Sequence, residues 1–337
     1  VLLLVSSAAA ALPIPEAIEA VANRLVADQI TTPGPLQGTW PGEADFTGSI
    51  VAGLANAYLL TGNAAYKNAA ELGGNYILNT HGSHPFGDEA YALALLSDIT
   101  GNPTYASTAK SFYDSLDTYG YISGFKGTDR SNAVFYVAQH AVAAHKVGAT
   151  DAGIWRQALI QYLARVGDDV AYFPVQSLGV ATWALSQTGP MDDTRVDPFG
   201  LIGEPYWAGV ELDDLAAILA SHQVGTGSYQ DSFYYRFDHT AAGPGFEPAG
   251  YTEDTVFGIL GLIAANNANP GLGLDGNILA GRLALASTVA SDGVVYEHIW
   301  SGGASYYTYA GEWLQAIPEP TTLLLLGIGG LFLRRRR

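Results

Sequence analysis

The sequence predicts an all-α fold in which about six helical hairpins form an α/α toroid. Two observations support this prediction: a turn motif that recurs after about 39 residues, and an alternation between helices that are apolar all round and helices that are apolar on one side. The 48% apolar and 11% aromatic residues are sufficient for a large buried core. A stacked helical solenoid is the alternative fold, because it is also built from repeated hairpins.

The recurring turn has the sequence LLTGNAAY at Leu59–Tyr66 and DITGNPTY at Asp98–Tyr105. In both copies an apolar helix meets a glycine that can cap its C-terminus, and a second helix begins shortly afterwards. Weaker copies begin at His145 and Leu185. A period of about 40 residues with two helices in each repeat is typical of helical hairpins.

Two types of helix alternate along the chain. Thr47–Leu60, Glu89–Ile99 and Asp254–Ala265 are apolar on nearly every side, which predicts inner helices. Asn102–Asp117 and the helix near Glu16 have a single apolar stripe, which predicts outer helices. The pattern gives twelve helices, with outer ones starting near residues 16, 63, 103, 152, 208 and 274, and inner ones near 47, 88, 131, 174, 253 and 304.

This arrangement resembles the six-hairpin glycosidases and polysaccharide lyases, and also the terpenoid-cyclase and prenyltransferase toroids. The T-G-N-x-x-Y turns and the opening segment at Gln37–Tyr58 carry the resemblance. It implies that the loops before the inner helices converge on one mouth of the ring. A prenyltransferase zinc site would need a cysteine ligand, and the chain has no cysteine.

The C-terminal tail differs from the rest of the chain. Pro318, Glu319 and Pro320 precede an apolar run at Thr321–Leu333, and Arg334–Arg337 follow. In this order they resemble the PEP-CTERM sorting signal, which implies an exported bacterial envelope protein processed by an exosortase, often alongside exopolysaccharide production. A stable bilayer span needs about 20 apolar residues, so this shorter run is expected to form a transmembrane helix that anchors the protein only transiently at the inner membrane.

The N-terminus is consistent with export. An apolar stretch at Val1–Val5 and small residues at Ala8–Ala11 are typical of a signal peptide with its cleavage site. Without an initiator Met or a basic segment, residues 1–12 are expected to be a truncated signal peptide. The predicted domains are therefore this peptide, a toroid at 13–316 and the sorting signal at 317–337, in a protein of the cell envelope or extracellular matrix.

Composition excludes several functions. The net charge of −17 would repel phosphate backbones, so no nucleic-acid partner is expected. The absence of cysteine excludes disulfides and thiol chemistry. The seven histidines show no metal-ligand spacing and no nucleotide-binding motif occurs, so we predict neither metal nor cofactor.

Aromatic and ionisable residues are concentrated in the loops that lead into the inner helices. A sugar-binding cleft needs aromatic faces for pyranose rings and a few polar groups for hydroxyls. The predicted substrate-binding residues are Trp40, Phe125, Arg130, Tyr172, Tyr234, Arg236, His298 and Trp300.

Adjacent acids begin two of the inner helices, and the predicted catalytic residues are Asp88, Glu89, Glu253 and Asp254. Glycoside hydrolysis needs one carboxyl as proton donor and another as base or nucleophile, and burial beside a like charge can raise one pKa. A lyase would instead use a Tyr or His base, with Arg130 neutralising a uronate. The structural alternative is that first-turn acids only stabilise the helix dipole.

The sequence thus predicts an exported protein that acts on extracellular polysaccharide as a glycosidase or lyase. One alternative is a non-catalytic surface or matrix protein that binds glycan at the same mouth. Another is a relative of the terpenoid cyclases, because VELDDL at Val210–Leu215 resembles their acidic D-x-D-D motif, although Glu211 replaces the first aspartate.

Overall fold

A computed structural model describes residues 12–167, 172–191, 194–299 and 303–317. Within these residues the chain is helical and the extended segments pair only through isolated bridges. The helices are α1 (Ile14–Asp28), α2 (Thr47–Thr61), α3 (Ala64–His81), α4 (Gly87–Thr100), α5 (Pro103–Ser115), α6 (Thr118–Gly124), α7 (Arg130–Lys146), α8 (Ala152–Leu163), α9 (Pro174–Thr188), α10 (Leu215–Ser221), α11 (Thr252–Ala268), α12 (Asp275–Ala286) and α13 (Tyr307–Ala316).

Six of these helices form a closed inner ring. In order around the ring they are α2, α4, α7, α9, α11 and α13, and α13 packs back against α2. The outer helices α1, α3, α5, α8, α10 and α12 pack around this ring. Since the last inner helix contacts the first, the chain is a toroid and the open solenoid is excluded.

The ring closes through two glycines that let α2 and α13 approach each other closely. A Cβ atom on Gly53 would lie 2.3 Å from the carbonyl oxygen of Gly311, and one on Gly311 would lie 2.5 Å from the Cα of Ile50. Real Cβ atoms do not come this close to a backbone. A larger residue at either position would therefore push the first and last inner helices apart.

The T-G-N-x-x-Y turns join successive hairpins as the sequence indicates. Gly62 and Gly101 are left-handed, with φ of 70° and 74°, and their N–H groups donate to carbonyls in the last turn of α2 and α4. The side chains of Asn63 and Asn102 then accept backbone N–H groups at the start of α3 and α5. One short motif therefore ends an inner helix and begins an outer one.

One predicted helix start is displaced. The outer helix expected near residue 208 begins at Leu215, and the chain before it forms short 3₁₀ turns at Pro205–Trp207 and Leu212–Asp214. Trp207 is buried and donates its indole N–H to the carbonyl of Val166, while Val196 donates its N–H to the carbonyl of Val210. These contacts hold the segment in a non-helical path.

Among the described residues, no helix combines the length and apolarity that crossing a bilayer requires. The predicted transmembrane run at 321–333 and the residues Pro318, Glu319 and Pro320 lie outside the described residues. The same holds for most of the predicted signal peptide, residues 1–11.

Candidate functional site

A cavity of about 480 Å³ opens at the end of the ring where the inner helices begin. Residues in, or just before, the first turns of all six inner helices line it, and we call it the central cavity. Its volume lies within the range of roughly 300–1,000 Å³ that is usual for small-molecule sites. Its acidic lining residues are Glu43, Asp45, Asp88, Glu253 and Glu312. Among the described residues, no Lys, Arg or His lines this cavity.

Asp88, one of the predicted catalytic acids, is held by the neighbouring inner helix. Its Oδ2 accepts the backbone N–H of Ser49 at 3.0 Å and lies 3.4 Å from the Ser49 hydroxyl. Ser49 is in the first turn of α2, where backbone N–H groups have no partner within the helix. Gly48 permits this contact, since a Cβ there would lie 2.5 Å from Asp88 Oδ2. Burial raises the pKa of Asp88 to about 6, against the opposing effect of the Ser49 hydrogen bond.

Glu253, at the start of α11, lines the cavity on the opposite part of the ring. Its Oε1 accepts a hydrogen bond from Nε2 of Gln176 at 2.9 Å, which connects α11 to the first turn of α9. Burial raises the pKa of Glu253 to about 7, and the Gln176 hydrogen bond opposes this shift. The negative charge of Glu297 raises the pKa further. The cavity therefore holds two carboxyls whose pKa values lie close to neutrality.

Glu312 is an acid that the sequence analysis did not identify. It lies in the middle of α13, is 4% exposed, and its Oε2 has no hydrogen-bond partner. Burial, followed by the charges of acids on other inner helices, raises its pKa well above the ordinary value. The available sequence signal was a single acid in an inner helix that has no other charged residue.

Glu43 is also buried, and its Oε2 accepts the hydroxyl of Thr308 at 2.7 Å. This hydrogen bond joins the segment before α2 to the first turn of α13, across the point where the ring closes. The N-terminal and C-terminal inner helices thus contribute to one side of the cavity.

The two remaining predicted acids face away from the central cavity. Glu89 is fully buried, accepts the backbone N–H of Phe86 at 3.0 Å and lies 2.8 Å from Nδ1 of His81. It therefore caps the start of α4. Asp254 is 2% exposed and borders a separate space, and neither of its carboxylate oxygens has a hydrogen-bond partner.

That space is a smaller cavity of about 210 Å³, which we call the second chamber. Phe173, Glu253 and Tyr309 line both the second chamber and the central cavity, so the two spaces adjoin. The other residues that line the second chamber are Tyr172, Tyr235, Phe246, Tyr251, Asp254 and Glu297.

Aromatic side chains surround the entrance of the central cavity. Phe46, Phe86, Tyr136 and Tyr306 each line the cavity and are 41–53% exposed. Large rings are usually buried in a soluble domain, so a half-exposed set around one opening indicates a surface for a ligand.

Several predicted substrate-binding residues lie elsewhere. Trp40 is buried in the core, where its indole N–H donates to the carbonyl of Leu25 at 2.7 Å. Phe125 stacks on Tyr136 at 5.8 Å and supports the cavity wall from behind. Arg130 is engaged by the carboxylate of Glu204 at 2.9 Å and is absent from the cavity lining.

Of the others that the structure describes, only Tyr172 lines one of the two cavities. Tyr234 stacks on His239 at 3.7 Å, and Arg236 lies 3.7 Å from the carboxylate of Asp238. His298 packs against the ring of Tyr251, behind the second chamber. Trp300 lies outside the described residues.

The described residues contain no group of three or more His, Asp or Glu side chains arranged to hold a metal ion. The acidic motif at Val210–Leu215 lines neither cavity, and Asp213 and Asp214 are exposed just before an outer helix. Beneath the acids, the space along the ring axis measures about 20 Å³.

Comparison with known proteins supports the sorting signal in the C-terminal tail and the toroid fold of the rest of the chain. Residues 316–337 match the PEP-CTERM protein-sorting motif, which confirms the prediction made from the tail and implies export, envelope sorting and exosortase processing. A search of curated proteins finds no sequence match.

Two solved structures share the fold. The Lin0763 protein from Listeria innocua matches with a TM-score of 0.58 and 13% identity, over 93% of this chain and 98% of that one. An alpha-1,6-mannanase, GH76A of Salegentibacter sp. HEL1_6, matches with a TM-score of 0.55 and 10% identity, over 92% and 100%. It is an inactive variant, with two consecutive aspartates replaced by asparagine, in complex with alpha-1,6-mannotriose. At these identities the likeness concerns the fold, and it confirms the helical toroid.

Proposed function

We propose that this exported protein hydrolyses glycosidic bonds of an extracellular polysaccharide in the central cavity. The observation that carries the proposal is the pair Asp88 and Glu253, two carboxyls with raised pKa values that line one cavity with a half-exposed aromatic rim. Glycoside hydrolysis requires such a pair. A mannanase with the same fold, and the sorting motif of an envelope protein, are consistent with this function.

The surroundings of the two acids favour different roles. Burial and the charge of Glu297 both raise the pKa of Glu253, so we assign Glu253 as the proton donor to the departing sugar oxygen. Asp88, with a pKa of about 6 and an anion stabilised by Ser49, is the base or nucleophile. Because Asp88 must be ionised while Glu253 is protonated, kcat/KM should be greatest between pH 6 and pH 7.

The charge of the cavity favours a hydrolase over a lyase. A lyase that acts on uronates needs a cation to neutralise the substrate carboxylate, and the described lining is acidic without Lys, Arg or His. Arg130, the cation expected from the sequence, is paired with Glu204. We therefore propose a substrate without uronates.

A terpenoid cyclase fits this site less well. It needs a deep apolar cavity with an acid, whereas the space beneath the acids is about 20 Å³ and the larger cavity carries five acidic residues. The proposed organisation is a toroid at 13–316 that the tail at 317–337 delivers to the envelope, with transient anchoring before exosortase processing.

The test is to incubate the purified chain with neutral, amino-bearing and uronate oligosaccharides and to measure the release of reducing ends. We expect cleavage of uronate-free glycans, and a loss of about 10²–10⁴-fold in kcat/KM for both Asp88→Asn and Glu253→Gln. Glu19→Gln removes one negative charge from an exposed site on α1 and should retain full activity.

An aryl glycoside with a nitrophenol leaving group separates the two roles. Such a leaving group needs little protonation, so Glu253→Gln should keep much more activity on it than Asp88→Asn does. Binding without cleavage, unchanged in both variants, would show a glycan-binding protein. Unsaturated uronate products would show a lyase. Either result would overturn the proposed hydrolase.

A further inference from the structure

We propose that the second chamber is a binding site for an ammonium group, and that it receives an amino-bearing sugar of the glycan. The chamber combines an aromatic wall with three carboxyl groups, and none of its described lining residues is Lys, Arg or His. Aromatic faces attract ammonium ions through the ring quadrupole, and aromatic cages are known to bind such cations. The assignment to a sugar rests on the proposed function, whereas ammonium binding itself does not.

The aromatic wall is built around Tyr235. The ring centroid of Tyr235 lies 5.4 Å from that of Phe173 and 5.4 Å from that of Tyr251, and 6.2 Å from those of Tyr172 and Phe246. Four rings thus meet one buried ring at tilted or edge-on angles. Because the rings support each other, their faces are fixed before a ligand arrives, which lowers the entropic cost of binding.

Asp254 supplies an independent indication of a ligand. It is 2% exposed, lines the chamber, and has two carboxylate oxygens without hydrogen-bond donors. A buried polar group without a hydrogen-bond partner is unfavourable, because it has lost its contacts with water and gained none in return. Asp254 lies in the first turn of α11, yet it accepts none of the N–H groups there, so helix capping does not explain its burial.

A primary ammonium satisfies these groups better than a hydroxyl. It carries three N–H donors and a positive charge, whereas a hydroxyl carries one donor and no charge. Asp254 is adjacent to Glu253 in the chain, and Glu297 lines the same chamber, so a cation there has three carboxyl groups as acceptors. The ligand class is therefore a primary amine.

The position of the chamber connects the amine to the proposed reaction. Glu253 lines both spaces, with Phe173 and Tyr309 beside it. A sugar in the second chamber would therefore adjoin the sugar in the central cavity. Glu253 would protonate the glycosidic oxygen of that second sugar. The preferred substrate is a glycan in which the sugar adjoining the cleaved bond has a free amino group.

The test is calorimetric binding at pH 6, where a sugar amine is largely protonated, with three matched trisaccharides: glucosamine, N-acetylglucosamine and glucose. We expect the glucosamine form to bind at least tenfold more tightly than the other two. Asp254→Asn, which keeps the shape of the side chain, should remove that preference. Phe246→Leu should weaken glucosamine binding several-fold, and Glu19→Gln should leave it unchanged.

A proton measurement strengthens the test. Burial and the charge of Glu253 raise the pKa of Asp254 well above its usual value, and an ammonium group bound beside this carboxyl should lower that pKa and release protons. The binding enthalpy should therefore vary with the ionisation enthalpy of the buffer, and this variation should diminish in Asp254→Asn. Thermal unfolding of each variant checks that it is folded.

The outcomes separate this site from the proposed hydrolase. Equal binding of the three trisaccharides, or an amine preference that survives in folded Asp254→Asn, overturns the ammonium site. Amine-dependent binding without cleavage supports the site and overturns the hydrolase. If ethanolamine binds as tightly as the glucosamine trisaccharide and also depends on Asp254, the ammonium site holds and its assignment to a sugar is overturned.

Discussion

The two pairs of adjacent acids, Asp88–Glu89 and Glu253–Asp254, occupy equivalent places in the fold but differ in their partners. Each pair begins an inner helix, and in each the first acid lines the central cavity. Glu89 has hydrogen-bond partners for both oxygens, whereas Asp254 has none. Burial alone therefore does not distinguish a structural acid from a functional one. The second acids of the two pairs differ instead in their hydrogen bonds, because only Asp254 has none.

The largest effect should appear within the first pair. Asp88→Asn is expected to lower kcat/KM by about 10³-fold, because the base or nucleophile is lost, with little change in the free energy of unfolding. Glu89→Gln should retain most of the activity, because Glu89 does not line the cavity. Steady-state kinetics on a cleaved glycan measures both. Equal losses in the two variants would contradict the distinction between them.

The next effect concerns pH. Burial raises the pKa of five acids above their unfolded values: Asp88 to about 6, Glu89 and Glu253 to about 7, and Asp254 and Glu312 well above their usual range. Between the unfolded and folded pKa values the native state binds more protons, so its stability falls as pH rises from about 4 to about 7. Each of Asp88, Glu89 and Glu253 should contribute up to about 3 kcal/mol to this decrease, which urea unfolding across the range measures. The slope should become shallower in Asp88→Asn.

A smaller effect compares the second acids of the two pairs. Glu89→Ala leaves the N–H of Phe86 and the ring of His81 without their acceptor, so the free energy of unfolding should fall by about 2 kcal/mol. Asp254→Asn removes an acid without hydrogen bonds and should leave stability at pH 8 unchanged or raised. Urea denaturation measures both variants, and a loss in Asp254→Asn comparable to that in Glu89→Ala would show that Asp254 is structural.

The smallest effect concerns the aromatic rim. Tyr306→Ala removes a half-exposed ring and should raise KM about fivefold, or about 1 kcal/mol, with kcat nearly unchanged. Trp40→Phe is the matched change in the core, where the hydrogen bond to Leu25 is lost. It should lower the melting temperature and leave KM unchanged. A higher KM for Trp40→Phe would link this buried ring to the ligand.

Much of the fold was accessible from the sequence because helical hairpins are local structures. The glycine and asparagine of each T-G-N-x-x-Y turn cap the two helices that they join. The residues of this short segment therefore determine where one helix ends and the next begins. The predicted helix start near residue 208 was wrong because the indole N–H of Trp207 donates to the carbonyl of Val166. No local sequence pattern reveals this contact. The aromatic site residues were less predictable, since Trp40 and Tyr172 have similar loop contexts but only Tyr172 lines a cavity.

The sequence by itself determined the helices, their inner or outer position and the sorting motif of the tail, because periodicity, capping residues and short motifs act within a few residues. Only the tertiary structure decided which carboxyls meet. Successive residues on a helix point about 100° apart, so the neighbour that each acid contacts depends on how the ring closes. Closure brings Glu312 near the end of the chain into the cavity that Glu43 lines near its beginning. It also leaves Asp254 facing a chamber in which it has no protein partner.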